Sequence, residues 1–133
     1  MTAAVGSVDV ELEVMKWLRV RVGPDVTVRD ELDNSLLGEL PTVQVQRLPA
    51  GGDDGIRLDR ALVDVDVYAA TRADAIALSA TVRGLLLGEL RGSTTAAAVF
   101  GRVGTISAPA ARPYENTALR RVGATYEIYC HPA

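Results

Sequence analysis

Two aspartates two residues apart, Asp64 and Asp66, are the first positions in this chain whose type and spacing invite chemistry. On a strand, positions i and i+2 share a face, so the two carboxylates lie close enough to hold a divalent cation if further oxygen ligands converge on them. The spacing fixes no third ligand. Alternating Asp is also what a solvated strand face looks like, and that is the stronger reading. Gly52-Asp53-Asp54-Gly55 is acidic as well, but it lacks the spaced ligands and closing Glu of a calcium loop and reads as a flexible turn. The single histidine, His131, directly follows the single cysteine, Cys130. Neighbours on a strand point to opposite faces, so these two make no nucleophile and base pair. Gly101-Arg102-Val103-Gly104 has neither the lysine nor the glycine spacing of a phosphate loop. Triads and zinc-ligand patterns are absent too, and the sequence calls for no cofactor or metal.

What remains is charge. Arg112, Arg120 and Arg121 near the end of the chain oppose in sign the acidic loop with Asp53 and Asp54 and the pair Asp64 and Asp66. Two readings stand: a solvated charge distribution, or the complementary edges of a head-to-tail interface that closes into a ring.

The elements that must position these residues follow from periodicity. Ser7 reads as the cap of a first helix in which Val8, Leu12, Met15, Leu18 and Val22 recur at helical spacing, with Asp9 and Glu11 in its first turn and Gly23-Pro24 as its stop. Trp17 flanks that stripe, as a lid on the core or part of a contact surface. Val26 and Val28 suggest a short strand, and Thr42 to Leu48 a second. Pro49 to Gly55 is a loop leading into a third strand within Arg57 to Ala69, making a long hairpin. On that strand Ala61, Val63, Val65 and Val67 face the core, while Leu62, Asp64, Asp66 and Tyr68 share a face that is wet or in an interface.

Thr71 and Asp74 resemble a capping box opening a second helix that runs to about Leu90, before Gly92. Ala75, Leu78, Val82, Leu85 and Leu86 give it a bulky apolar face, and Ala73, Ala77, Ala80, Gly84 and Gly88 a face of small residues. Two glycines inside a helix cost stability, which points to a backbone approaching there, either helix one or a neighbouring subunit. A fourth strand over Val99 to Ser107 is interrupted by Gly101 and Gly104, a sign of a bulge or bend. Ala108 to Asn116 reads as a loop and Leu119 to His131 as a closing strand. The order α-β-β-β-α-β-β, without linker or repeat, predicts one α+β domain over 1–133, a largely antiparallel sheet with two main helices packed on it.

Composition narrows the function classes. A chain of 133 residues, 48% hydrophobic and 23% charged, has apolar content enough for a core and too much for intrinsic disorder. Aromatics at 5% leave few stacking platforms, and a net charge of −3 supplies no dense basic patch, so sequence-specific nucleic acid is not an expected partner. One cysteine forms no internal disulfide, Met1 to Ser7 lacks a signal-peptide pattern, and no apolar run is long enough to span a bilayer, so a cytoplasmic protein without a membrane partner is expected.

Three stretches carry a family resemblance: Leu40-Pro41-Thr42-Val43-Gln44-Val45 before the Gly/Asp loop, Val63-Asp64-Val65-Asp66-Val67-Tyr68-Ala69 leading into Arg72-Ala73-Asp74-Ala75, and Arg120-Arg121-Val122-Gly123-Ala124-Thr125-Tyr126-Glu127-Ile128. Together with length and element order they make the chain similar to the tail terminator proteins of long-tailed bacteriophages, the lambda-like group and its actinophage relatives. The resemblance implies a non-enzymatic α+β subunit of the virion tail, assembled in the host cytoplasm. It implies a six-membered ring on the head-proximal end of the tail tube, with itself, the major tail tube protein and a head-side connector or neck protein as partners. The family offers no signature residues to transfer. The candidate interface residues therefore come from charge, exposure and small size: Asp53, Asp54, Asp64, Asp66, Tyr68, Gly84, Gly88, Arg112, Arg120 and Arg121. Two alternatives remain, a neck or head-completion protein, and a small-molecule-binding α+β domain with a pocket between helix two and the sheet.

Overall fold

The computed structural model describes residues 4–133; residues 1–3, part of the start read above for a targeting signal, lie outside the described residues. Helix α1 spans Val10–Val22, and its cap is Asp9 rather than Ser7: the Asp9 carboxylate accepts a hydrogen bond from Leu12 N at 3.1 Å. Most of the expected stripe reaches the core: Val8, Met15 and Leu18 are buried and Val22 packs against them. Val10, Val14, Met15, Trp17 and Leu18 are buried, whereas Leu12, expected in the stripe, is exposed. Trp17 belongs to the core, with the Arg21 guanidinium 3.8 Å above its ring.

Strands β1 (Thr27–Arg29), β2 (Thr42–Asp53), β3 (Asp59–Ala69), β4 (Ala98–Ala111) and β5 (Arg120–Pro132) form one sheet in the order β1-β2-β3-β5-β4. Only β1 and β2 run parallel; the other neighbours are antiparallel. The expected loop from Pro49 to Gly55 is mostly strand. A register shift between Arg47 and Gly51 absorbs the irregularity, and Gly51, at φ +102°, lets its backbone lie directly on the Arg60 carbonyl, so pairing resumes through Asp53. The turn proper is Asp54 to Leu58. Likewise β4 continues past the expected loop start at Ala108 to Ala111, with three register shifts along the way. It forms one edge of the sheet, opposite β1 at the other. Its first residues are covered by the Gly92–Thr95 turn, where Phe100 N donates to Ser93 O at 2.8 Å, and Pro109 sits on its later half.

Helix α2 spans Arg72–Leu85 and continues through a π-helical turn at Leu86–Leu90. Thr71 is its cap, accepting from Asp74 N at 3.2 Å. Both helices lie on one face of the sheet. The β3 row Ala61, Val63, Val65 and Val67 and the β5 row Val122, Ala124, Tyr126, Ile128 and Cys130 form the floor of the core, and Ala75, Val82, Leu86 and Leu90 pack onto it. Full burial of each such aliphatic side chain is worth up to about 1.5–3 kcal/mol, and Trp17, Phe100 and Tyr126 add the core's large aromatic rings. Arg19 ties α1 to the sheet by donating to Val28 O from Nε and Nη2, at 3.1 and 2.8 Å.

Candidate functional site

The opposite face of the sheet carries the charge. Cross-strand register places Asp64 beside Thr125, Asp66 beside Gly123 and Tyr68 beside Arg121, with Gln44 of β2 next to Asp66. This face was expected to be wet or in an interface, and the structure corrects that at its centre: Asp66 is 1% exposed and Tyr68 is 2% exposed. Both Asp66 oxygens are taken, Oδ1 by Arg112 Nη1 at 3.1 Å and Oδ2 by Arg121 Nη2 at 3.0 Å. Thr125 Oγ1 donates to Asp64 Oδ1, and Arg112 Nη1 lies 3.5 Å from Asp64 Oδ2. Two carboxylates and two guanidiniums thus neutralise one another inside a single chain, in a partly dry setting where such contacts are stronger than at the surface. The Asp64 and Asp66 oxygens that a cation would need are engaged by arginine and threonine. Among the described residues no group of three or more His, Cys, Asp or Glu is arranged to hold a metal.

Gly123 makes this cluster possible. A Cβ there would overlap the Asp66 carboxylate and come within 2.6 Å of Arg112 Cδ and Nε. Beside it, Tyr68 donates to Gln44 Oε1 at 3.0 Å, and Gln44 Nε2 in turn donates to Asp30 O at 3.1 Å. Tyr114 meets the Tyr68 ring edge-on at 5.2 Å between centroids, and Leu36 and Leu119 close a second small core around it. Burial pushes the Tyr68 hydroxyl up to about 12. Tyr68 therefore anchors the β1–β2 and β4–β5 connections to the sheet, and is not an exposed contact.

The remaining candidates are exposed. Asp53 and Asp54 sit at the β2–β3 hairpin tip and shape the turn: Asp53 Oδ1 accepts from Gly55 N at 2.7 Å, and Asp54 Oδ1 from the Ile56, Arg57 and Leu58 amides at 2.9, 2.8 and 2.9 Å. Those amides hold the Asp54 carboxyl below its ordinary range. Next to them Ile56 is 81% exposed. Arg120 donates from Nη1 to the carbonyls of Thr117 and Leu119 at 2.9 and 3.1 Å and, among the described residues, has no carboxylate partner. Gly84 and Gly88 lie on an exposed face of α2 where an added Cβ would meet nothing within 4 Å. The contact with α1 offered as one explanation for them is therefore not made.

Cys130 is fully buried, and burial pushes its thiol up to about 11. His131 Nδ1 instead accepts from Arg57 Nε at 3.2 Å, so the neighbouring residues go separate ways. Beside α2 lies an open groove of about 420 Å³ lined by Leu40, Pro41, Ala69, Ala70, Asp74, Ala77 and Leu78, in which Asp74 is the one ionisable side chain. The buried polar cluster is on the other face of the sheet, so no groove beside α2 encloses it. Sequence reasoning missed a second groove of about 280 Å³ between α2 and the end of β4, bordered by Arg72, Ile76, Arg83, Pro109 and Ala111. Its signal was the extension of β4, which the prolines Pro109 and Pro113 obscured.

A family model described as phage tail termination protein matches residues 6–132. Among solved structures, a chain from the virion of a native gene transfer agent particle superimposes with a TM-score of 0.58 at 18% identity, covering 94% of this chain and 87% of that one. No curated protein matches.

Proposed function

This chain belongs to the phage tail termination protein family, and from that premise we propose that it forms a ring, six-membered, on the head-proximal end of the tail tube. There it ends addition of the tube protein and offers a surface to the head-side connector. The observation that carries this reading is the extent of the family match, residues 6–132, which takes in both helices and all five strands. A binding role rather than catalysis is supported by the buried carboxylates, because Asp59 is paired with Arg47 and Asp66 with Arg112 and Arg121. Among the described residues no helix is long and apolar enough to cross a membrane.

Adding the purified chain to polymerising tail tube protein tests the proposal. Electron microscopy should show shorter tubes, each carrying a density at one end. Tubes of unchanged length with bare ends would refute it.

A further inference from the structure

The hairpin tip and the groove between α2 and β4 are opposite in character and lie at opposite ends of the sheet. The tip adjoins the Asp59–Cys130 pair, while the groove adjoins the Ala111–Val122 pair. At about 3.3 Å per residue, the eleven-residue β3 separates the two ends by roughly 30 Å. A chain cannot fill its own groove with its own tip.

The groove presents an apolar floor with Ile76, itself 48% exposed, and Pro109, bordered by the Arg72 and Arg83 guanidiniums. Arg83 Nη1 is buried without any hydrogen-bond acceptor, and neither arginine has a carboxylate within ion-pair distance among the described residues. That atom is closed to solvent and the Arg83 side chain acts on the Tyr126 hydroxyl of the core, so the cation that the groove holds open to an incoming acid is the exposed Arg72. The tip supplies the converse: Ile56, 81% exposed, beside Asp53 and Asp54, neither of which is in an ion pair among the described residues. The other acidic surface segment, around Asp33 and Glu39, already carries a cation of its own, Arg29, at 2.9 and 2.6 Å from their carboxylates.

We propose that the β2–β3 hairpin tip of one copy seats in the α2–β4 groove of the next, with Ile56 on Ile76 and Pro109 and the Asp53 and Asp54 carboxylates facing Arg72. The joint rests on the ring reading above and gives it residues. Donor and acceptor patches differ, so the contact is head-to-tail: each addition leaves one free tip and one free groove, and only closure uses both.

Ile56→Asp disables the tip and Arg72→Glu disables the groove, and both positions are exposed, so the fold is kept. Sedimentation of each variant should show self-association weakened about tenfold or more relative to the unaltered chain. An equimolar mixture of the two should form a one-to-one heterodimer and nothing larger, because one intact tip and one intact groove remain between them. An oxidised Ile56→Cys/Ile76→Cys double variant should give a ladder of covalent oligomers, since the buried Cys130 does not compete. If the unaltered chain associates or caps tail tubes and both single variants do so equally well, the joint is wrong while the ring reading stands. If the variants self-associate normally but no longer bind tubes, the occupant of the groove is the tube protein and the joint is again wrong. A chain that neither associates nor binds tubes overturns both.

Discussion

Asp66 and Gly123 face each other across the β3–β5 ladder, and the Asp66 carboxylate, held by Arg112 and Arg121, fills the space that any side chain at position 123 would need. Gly123→Ala should therefore destabilise the subunit by about 2–3 kcal/mol, as overpacking does. Chemical denaturation should show the midpoint falling at unchanged slope; an unaltered midpoint would mean that the cluster yields without cost.

Removing the carboxylate should be at least as severe. Asp66→Ala leaves two guanidiniums without their shared partner, a loss of about 3 kcal/mol. In a double-mutant cycle with Arg121→Ala the two losses should fall short of additivity by about 1–3 kcal/mol, measured by equilibrium unfolding. Additive losses would show that Asp66 and Arg121 do not act as a pair.

Two buried phenols set an alkaline limit. Burial raises Tyr68 from 10.0 to about 12 and raises Tyr126 as well. A raised folded-state value means that the stabilising effect is complete below about pH 10, where the unfolded phenol titrates, and is lost as pH climbs through the folded value. Stability of the subunit should thus fall between pH 10 and about 12. Tyr68→Phe should make that fall shallower without abolishing it, because Tyr126 still titrates. Tyrosinate absorbance followed alongside unfolding checks this; full ionisation of all tyrosines in the folded state near pH 10 would contradict it.

Gly84 offers the opposite effect. It sits inside α2, and a Cβ there meets nothing within 4 Å. Gly84→Ala should raise the stability of the isolated subunit by about 0.5–1 kcal/mol through helix propensity alone. A lower melting temperature would imply a close approach that the fold does not contain.

How far the fold can be read from residues varies with the range of the forces involved. Element order and α2, with Thr71 capping Asp74 N, follow from local spacing and were legible. The ends of β2 and β4 were not. Gly51 and Pro109 look like breakers, and it is pairing with β3 and β5 that carries the strands past them. The α1 cap was misplaced because Ser7 and Asp9 are both good caps, whereas of the expected stripe only Leu12 faces out. The same limit applies to the charged site. Asp-x-Asp alternation is identical whether the face meets water or a guanidinium, and the arginine that buries Asp66 lies 46 residues away. Tyr68 was misread for the same reason: its cover, Tyr114 and Leu119, comes from a loop whose path periodicity does not encode.

The outermost strand, β4, has a wider consequence. A fourteen-residue strand at a sheet margin is a ready template for limitless stacking of chains, the route to fibrous aggregates. Here the template is spoiled three times by slipped register, and Pro109 carries no amide hydrogen to lend. An edge so broken is a poor template for stacking through backbone amides, which leaves side chains as the means by which anything could dock along β4.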